Sequence, residues 1–311
     1  MAQNSKWIEP ASPDEPASEV ARRAIKQRLL RVHESLREAI DTPHGDPEVV
    51  HQLRVSTRRA AATLDSFRAL LDQERSAWID RRLKRVRKAT NDARDYDVLV
   101  GRLKSRAADD RQWEPLLDQL KSLRREAYRP LIEQCDRLEH RHFNRKLKRL
   151  VRSVAWCDDC EPEPSFGRWA VEQVRAATAP FFEAAAGPFD DFGQLHAFRI
   201  LGKRLRYAME VFVTAFERRF RDELYPLIES LQEKLGEIND HATALGRVEQ
   251  WLLDWDDAKL TRPLGALLDE ERQKLRDCRA GFDAWWSAER ADEWRRRFEE
   301  VLAHSKFERV A

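Results

Sequence analysis

One segment of 18 residues occurs twice in this chain, and it constrains the fold more than any other feature. The first copy, VHQLRVSTRRAAATLDSF, spans residues 50–67, and the second, LHAFRILGKRLRYAMEVF, spans residues 195–212. Both belong to one longer register, because residues 25–103 match residues 170–248 at a constant offset of 145 without a gap. Solenoid repeats have periods of roughly 20 to 50 residues, so this repeat is too long for one. The sequence therefore predicts a duplicated helical bundle.

The match resumes at an offset of 151, where FNRKLKRLV (143–151) aligns with WRRRFEEVL (294–302). An insertion of six residues in the intervening loop explains the change of offset. Apolar residues recur at helical spacing along the chain, which predicts an all-α fold. The predicted organisation is a disordered tail over 1–17, a first bundle half over 18–156, a linker over 157–167 and a second half over 168–304. Within the first half, Pro130 predicts a kink or break in the last helical segment.

Each copy of the repeated segment places its cations on one helical stripe. At 100° per residue, His51, Arg54 and Arg58 share one face, opposite the apolar residues. The corresponding residues of the second copy are His196, Arg199, Lys203 and Arg206. No Asp or Glu occurs in residues 50–62 or 195–209, although the chain has 55 acids against 57 Lys and Arg. The cations therefore lack local partners, which indicates an anion site, whereas a solvated helix face is the plainer interpretation.

The composition indicates what class of protein this is, but it does not identify the partners that the protein binds. The first 160 residues carry 34 Lys and Arg against 26 Asp and Glu, and the rest carry 23 against 29. This asymmetry favours local electrostatic function. No run of 18 apolar residues and no N-terminal h-region occurs, so we expect a cytoplasmic protein with no membrane segment. Four cysteines are too few for a disulfide scaffold in a chain of 311 residues.

The repeated motifs resemble those of the conserved histidine α-helical domain, or CHAD, family. The resemblance rests on HQLRVSTRR and HAFRILGKRLRY, each followed by a helix that contains RDYDVL or NDHATAL. It extends over about residues 18–304 and implies two pseudo-symmetric antiparallel helical bundles around a basic central cavity or pore. It also implies non-enzymatic binding of inorganic polyphosphate, with granules of that polymer as a place of recruitment. The implied binding residues are His51, Arg54, Arg58, Arg59, His196, Arg199, Lys203, Arg204 and Arg206.

The chemistry of polyphosphate suits such a set of residues. The polymer carries about one charge per phosphate and no bases, so its binder needs convergent Arg and Lys donors and no stacking platform. A histidine adds a cation below its pKa of about 6.5, but His51 and His196 can equally be hydrogen-bonded braces of the bundle. Asp95 and Asp240 are predicted to hold Arg59 and Arg204 in place. The two halves differ at Ala61 and Arg206, and at Arg94 and Asn239, so their contributions can be unequal.

Two further runs, RRLKRVRK (81–88) and RHFNRKLKRLVR (141–152), each contain six Lys or Arg and no acid. Their cations point all round the helix, which favours a solvated surface. Arg145, Lys148 and Arg152 remain secondary candidates for ligand contact.

Other functions stay open at this stage. A metal-dependent enzyme acting on polyphosphate or triphosphate would need carboxylates beside the basic helices, and residues 50–67 and 195–212 contain no E-x-E or D-x-D set. A generic polyanion or nucleic-acid binder would use the same cavity, but aromatic residues do not alternate with the basic ones. Cys157 and Cys160 with His140 and His142 form a weak zinc pattern. No phosphate-binding glycine loop is present, so we expect no cofactor and no catalysis, and the oligomeric state is undetermined.

Overall fold

The computed structural model describes residues 6–42, 46–157 and 162–303, and these ranges form ten α-helices and no β-strand. The first half contains α1 (Ala17–Asp41), α2 (Pro47–Ser66), α3 (Gln73–Asp109), α4 (Glu114–His140) and α5 (Phe143–Arg152). The second half contains α6 (Phe166–Ala185), α7 (Phe192–Phe212), α8 (Tyr225–Asp254), α9 (Ala258–Trp285) and α10 (Ala288–Ala303). The predicted all-α class is confirmed. In each half a short helix pair precedes a long pair and a final short helix.

The two repeated helices begin at aspartate caps. The side chain of Asp46 accepts a hydrogen bond from the backbone of Glu48 at the start of α2, where Pro47 occupies the first turn. Asp191 and Gln194 form a capping box at the start of α7. These caps place each histidine about one turn into its helix, with the basic stripe following.

The ends of α2 and α7 meet in the main hydrophobic core. Phe67 and Phe212, which are equivalent in the repeat, are fully buried and pack edge to face with ring centroids 5.5 Å apart. Phe166 contacts Phe212 in the same cluster, with centroids 5.9 Å apart. A second, smaller core joins the far ends of α3, α4, α8 and α9 around residues such as Leu103 and Val248.

Gly202 allows α7 and α8 to approach closely beside the basic stripe. A Cβ atom at this position would lie within 2.3 Å of Nε2 of Gln232, so a side chain there would require Gln232 to move. Nε2 of Gln232 donates to the backbone carbonyl of Arg199 at 3.3 Å. The close approach therefore fixes the backbone from which Arg199 projects.

The prediction of a disordered tail is wrong for residues 6–16. Ile8 is buried, and the rings of Trp7 and Tyr225 pack with centroids 4.8 Å apart. The backbone of Phe166 donates to the carbonyl of Glu15 at 2.7 Å. This segment crosses from the first half to the second, so its few apolar side chains find partners that the local sequence does not reveal. Residues 1–5 lie outside the described residues.

The predicted breaks and linker also differ in detail. Helix α4 continues through Pro130 to His140, and the chain turns at His142, whose φ of 55° is left-handed. Helix α6 already begins at Phe166, inside the predicted linker of 157–167, because Ser165 caps it. Residues 158–161 of that linker and residue 304 of the predicted second half lie outside the described ranges. In the described part of the chain, no helix has both the length and the apolar character needed to span a bilayer.

Candidate functional site

Two adjoining cavities open beside the basic stripes of α2 and α7. The first, here the His cavity, has a volume of about 540 Å³ and walls from α2, α3, α7 and α8. The second, here the Lys cavity, has a volume of about 790 Å³ and walls from α2, α3, α6 and α7. Arg58 lines both cavities, so they adjoin at this guanidinium. Helices from both halves of the repeat therefore enclose the space that the basic stripes face.

Equivalent positions of the two repeat copies line the His cavity. Most of its residues are pairs separated by 145 positions. The pairs are His51 and His196, Arg54 and Arg199, Arg94 and Asn239, Asp95 and Asp240, Val98 and Thr243, Leu99 and Ala244, and Arg102 and Arg247. Six arginines line this cavity against two aspartates. The same cavity thus receives equivalent side chains from both halves.

The Lys cavity is more strongly basic. Its charged lining residues are Arg58, Arg68, Arg81, Lys84, Arg87, Lys203 and Arg204, against Asp65 and Asp80. Arg68 forms ion pairs with both aspartates, at 3.2 and 3.1 Å. Arg81, Lys84 and Arg87 come from the run that the sequence assigned to a solvated surface. Arg81 and Lys84 are exposed, in agreement with that assignment, whereas Arg87 is half-buried. The three residues recur every third position and share one face of α3, so this face also forms a wall of the Lys cavity.

That face of α3 continues past both cavities. After Arg87, the residues Asn91, Arg94, Val98 and Arg102 line the His cavity at intervals of three or four positions. Sequence reasoning missed this stripe, although its spacing was legible, because the other cations of the run obscured it. Helix α3 is therefore a wall of the site in its own right.

The cations at the centre of the site have few carboxylate partners. Nη1 of Arg54 donates to Oγ1 of Thr90 at 2.9 Å and to Oδ1 of Asn91 at 2.7 Å. Nε of Arg199 is buried, and no hydrogen-bond partner for it occurs among the described residues. Burial, together with the neighbouring Arg58, lowers the pKa of Arg54 to about 10. Arg54 and Arg199 form no ion pair with a carboxylate of the described residues, so Asp95 and Asp240 balance their positive charge only in part.

Lys203 is the most strongly perturbed cation of the site. Burial lowers its pKa to about 7, and repulsion from Arg199 and Arg58 acts in the same direction. The pKa of His51 is lowered as well, by burial and then by the charge of Arg94. An anion bound beside Lys203 or His51 would raise the pKa of that group and favour its protonated form.

Comparison with known proteins identifies the family to which this chain belongs. The model of the CHAD domain matches residues 41–249, about two-thirds of the chain. The chain belongs to the CHAD domain family. In the crystal structure of the CHAD domain from the plant Ricinus communis, the shared fold covers 90% of this chain and 96% of the other, with 20% identity and a TM-score of 0.71. PptA from Streptomyces chartreusis matches over 88% of this chain and 99% of its own, with 19% identity and a TM-score of 0.64. Among curated proteins no match was found.

In this CHAD domain the two histidines differ in environment. His51 is half-buried, whereas His196 is exposed and its Nδ1 lies 3.2 Å from Oδ1 of Asn239. Asn239 is the position where the first half has Arg94, so the two histidines face unlike neighbours. Both side chains line the His cavity, where a ligand can reach them.

The predicted partners of Arg59 and Arg204 are wrong. Nε of Arg59 binds Oε2 of Glu210 at 2.8 Å, and Arg204 lies 3.9 Å from Asp65. Asp95 instead binds Nη2 of Arg247 at 2.7 Å. The predictions relied on angle around the helix, but α2 and α7 pack so that Arg59 turns toward the other repeated helix.

Some of the predicted binding residues lie outside the two cavities. Arg59 lines neither of them, and Arg206 lies with its guanidinium carbon 5.0 Å from the ring centroid of Tyr207, beside buried Glu210. Asp240 lines the His cavity near Arg199, whose positive charge it favours. Arg145 and Lys148 are exposed away from both cavities, and Arg152 lines a third cavity.

The described ranges contain no group of three or more His, Cys, Asp or Glu side chains arranged to hold a metal ion. Cys157 is exposed, and Cys160, the other half of the C-x-x-C pattern, lies outside the described residues.

Proposed function

We propose that this CHAD domain binds inorganic polyphosphate in the His cavity and the Lys cavity without changing it chemically. The observation that carries the proposal is the convergence of Arg54, Arg58, Arg199 and Lys203 on adjoining cavities. None of these four forms an ion pair with a carboxylate of the described residues. Desolvated cations that repel one another destabilise the unliganded site, and a polyanion would relieve that repulsion.

The shape of the site fits a long, uniform polymer. We infer that the two halves form pseudo-symmetric bundles around the His cavity, since seven pairs of equivalent residues line it. A polymer of identical units can engage equivalent donors from both halves. Arg58 would contact the polymer where one cavity passes into the other, and Arg would supply bidentate contacts to phosphate oxygens.

Nucleic acid is a weaker fit to the same cavities. Tyr207 is the only aromatic side chain among the described lining residues, and Arg206 already packs against its ring. Single-stranded nucleic acids are held by aromatic platforms as well as by a basic groove. The cavities therefore favour an anion without bases. As part of the same proposal, binding to polyphosphate would recruit this protein to polyphosphate granules in the cytoplasm.

A metal-dependent enzyme is the second candidate, because Asp95 and Asp240 both line the His cavity. Magnesium is often held by one or two carboxylates together with substrate phosphates. Against this role, Asp95 is engaged by Arg247 and lies beside Arg54, and both cations compete with a metal ion. The carboxylates are better suited to orienting the arginines.

The test is a binding assay with long-chain polyphosphate, with and without magnesium, and with RNA and orthophosphate as competitors. We expect saturable binding, an unchanged chain length on gels and weak competition by RNA. Shortening of the chain in magnesium would establish the enzyme instead. Equal competition by RNA would establish a generic polyanion binder.

A further inference from the structure

Helix α5 and the first turns of α3 enclose a third cavity, here the α5 cavity, of about 500 Å³. It is lined by Glu74, Arg75, Trp78, Lys146, Arg149, Arg152 and Ser153. None of these residues lines the His cavity or the Lys cavity. The α5 cavity is therefore a separate feature of the first half.

The α5 cavity has an excess of positive charge. Four of its lining residues are cations and one, Glu74, is an acid. Arg75 is paired with Asp72, but Arg149 and Arg152 form no ion pair with any carboxylate that the structure describes. The cavity also lies at the N-terminal end of α3, a helix of 37 residues whose dipole adds positive potential there.

Trp78 gives the α5 cavity a rigid wall. Nζ of Lys146 lies 5.7 Å from the centroid of its ring, and the guanidinium carbon of Arg82 lies 5.2 Å from it. Both distances are within the range of cation–π attraction. The ring is thus occupied by cations, which leaves little room for a stacked base and favours a ligand that is only an anion.

The second half of the repeat provides an internal comparison. By the register of the repeat, Trp78 corresponds to Glu223, Lys146 to Arg297 and Arg149 to Glu300. There Arg297 binds Glu223 at 3.4 Å, and Glu300 pairs with Arg219 at 3.8 Å. The same place in the fold is therefore neutralised by ion pairs in the second half and left basic in the first. General bundle stability does not require uncompensated cations at this position.

We propose that the α5 cavity is a second anion site, which binds a short segment of inorganic phosphate polymer independently of the two central cavities. The choice of ligand rests on the proposed function, whereas the site itself rests on its own geometry. Arg149 and Arg152 supply the contacts to phosphate oxygens, and Lys146 adds a point charge. With two sites on one chain, a long polymer bound at the centre gains effective concentration at the α5 cavity.

Tripolyphosphate titrated by calorimetry tests this proposal, because it is short enough to report each site separately. The wild-type protein should show two binding equivalents. Arg149→Glu with Arg152→Glu should lose one equivalent, weakening that site at least about tenfold, since like charges oppose the ligand. The matched control is Arg145→Glu with Lys148→Glu, which makes the same charge change at two exposed residues of α5 that do not line the α5 cavity, and it should keep both equivalents.

A different role for Arg149 and Arg152 gives a different result. Cations in the last turn of a helix stabilise it through the dipole. If that is their only role, the double variant will lower the melting temperature and leave both equivalents intact, which overturns the proposal. Failure of the central cavities is distinguishable, because Arg54→Glu with Arg199→Glu removes the other equivalent. If only the α5 variant loses binding, the α5 site stands and the central function falls.

Discussion

Nε of Arg59, in the first half, donates to Oε2 of Glu210, in the second half, at 2.8 Å, and only 1% of the Glu210 side chain is exposed. The hydroxyl of Tyr225 donates to the other carboxylate oxygen at 3.0 Å. Arg59 and Glu210 thus join α2 to α7 behind the cavities. This contact fixes the spacing of the two helices that carry the basic stripes.

Replacing Glu210 should therefore destabilise the fold. Glu210→Gln leaves the largely buried guanidinium of Arg59 without its counter-charge, and breaking such a pair costs about 3 to 5 kcal/mol. Urea unfolding followed by circular dichroism measures the loss. The control is Glu172→Gln, which breaks an exposed pair with Arg168 and should cost less than about 1 kcal/mol. Equal costs for the two variants would show that the buried pair has no special role.

The sequence predicted the basic stripes but not this support. Spacing at 100° per residue placed Arg54 and Arg58 on the basic face of α2 and Lys203 on the basic face of α7, and all three line the cavities. Local periodicity carries that information because neighbouring turns of a helix share a face. The partner of Arg59 depends instead on how α2 and α7 pack, and residues 59 and 210 are far apart in sequence. No local pattern specifies such a contact.

The wall formed by α3 was predictable in part. Arg81, Lys84 and Arg87 share a face by simple spacing, yet the run contains six cations and the sequence does not say which face meets α2. In the segment of residues 6–16, the sequence predicts too little structure. Its low apolar content predicts disorder, whereas Ile8 and Trp7 find long-range partners in the folded protein.

Charge reversal at the centre of the site should abolish binding while the protein stays folded. Arg54→Glu with Arg199→Glu replaces two equivalent cations of the His cavity by acids, so the polymer meets repulsion at both. We expect affinity for polyphosphate to fall by more than about 100-fold, a change of about 3 kcal/mol. Fluorescence anisotropy with labelled polymer measures affinity, and circular dichroism checks helicity.

The control for this pair is Arg145→Glu with Lys148→Glu, because both side chains are exposed and lie outside the central cavities. Arg81 is unsuitable as a control, since it lines the Lys cavity. Equal losses in both variants, or binding by the first variant at the wild-type level, would favour the interpretation of the basic stripes as a solvated helix face.

Salt should weaken binding steeply. If about six to nine cations neutralise phosphates, the slope of log affinity against log salt should be about −4 to −6, by analogy with single-stranded nucleic acids. Arg58→Gln should make that slope shallower by about 0.7, because one contact is lost. Titrations at several sodium chloride concentrations give both slopes. An affinity that does not change with salt would contradict a mechanism based on charge.

Removing the acids of the His cavity separates binding from catalysis. Asp95→Asn with Asp240→Asn takes two negative charges out of the cavity, so polyphosphate affinity should rise by about 3- to 10-fold. The change also releases Arg247 from Asp95, which should cost about 1 kcal/mol of stability. If the carboxylates hold a catalytic metal ion, the variant will instead lose any magnesium-dependent chain shortening that the wild-type protein shows.

The affinity for polyphosphate should fall as pH rises through the low pKa of Lys203. Burial and the neighbouring arginines hold this pKa at about 7 in the unliganded protein, so the ammonium loses its proton between about pH 6 and pH 8. A bound polyanion favours the ammonium, so binding near neutral pH takes up a proton. At pH 9 the polymer must either bind a neutral amine or protonate it at a cost, and both alternatives weaken binding.

The stability of the unliganded protein should change with pH in the opposite direction. An exposed lysine has a pKa of about 10.4, so between about pH 7 and pH 10 the unfolded chain binds more protons at this position than the folded chain. The contribution of Lys203 therefore makes the fold more stable as pH rises through that window.

Lys203→Met should remove both effects, giving a flatter pH profile for polyphosphate affinity between pH 7 and 9 and a smaller rise in unfolding free energy. Proton uptake, measured by calorimetry in buffers of different ionisation enthalpy, checks the mechanism directly. A wild-type profile that matches that of Lys203→Met would show that Lys203 is already charged in the unliganded site.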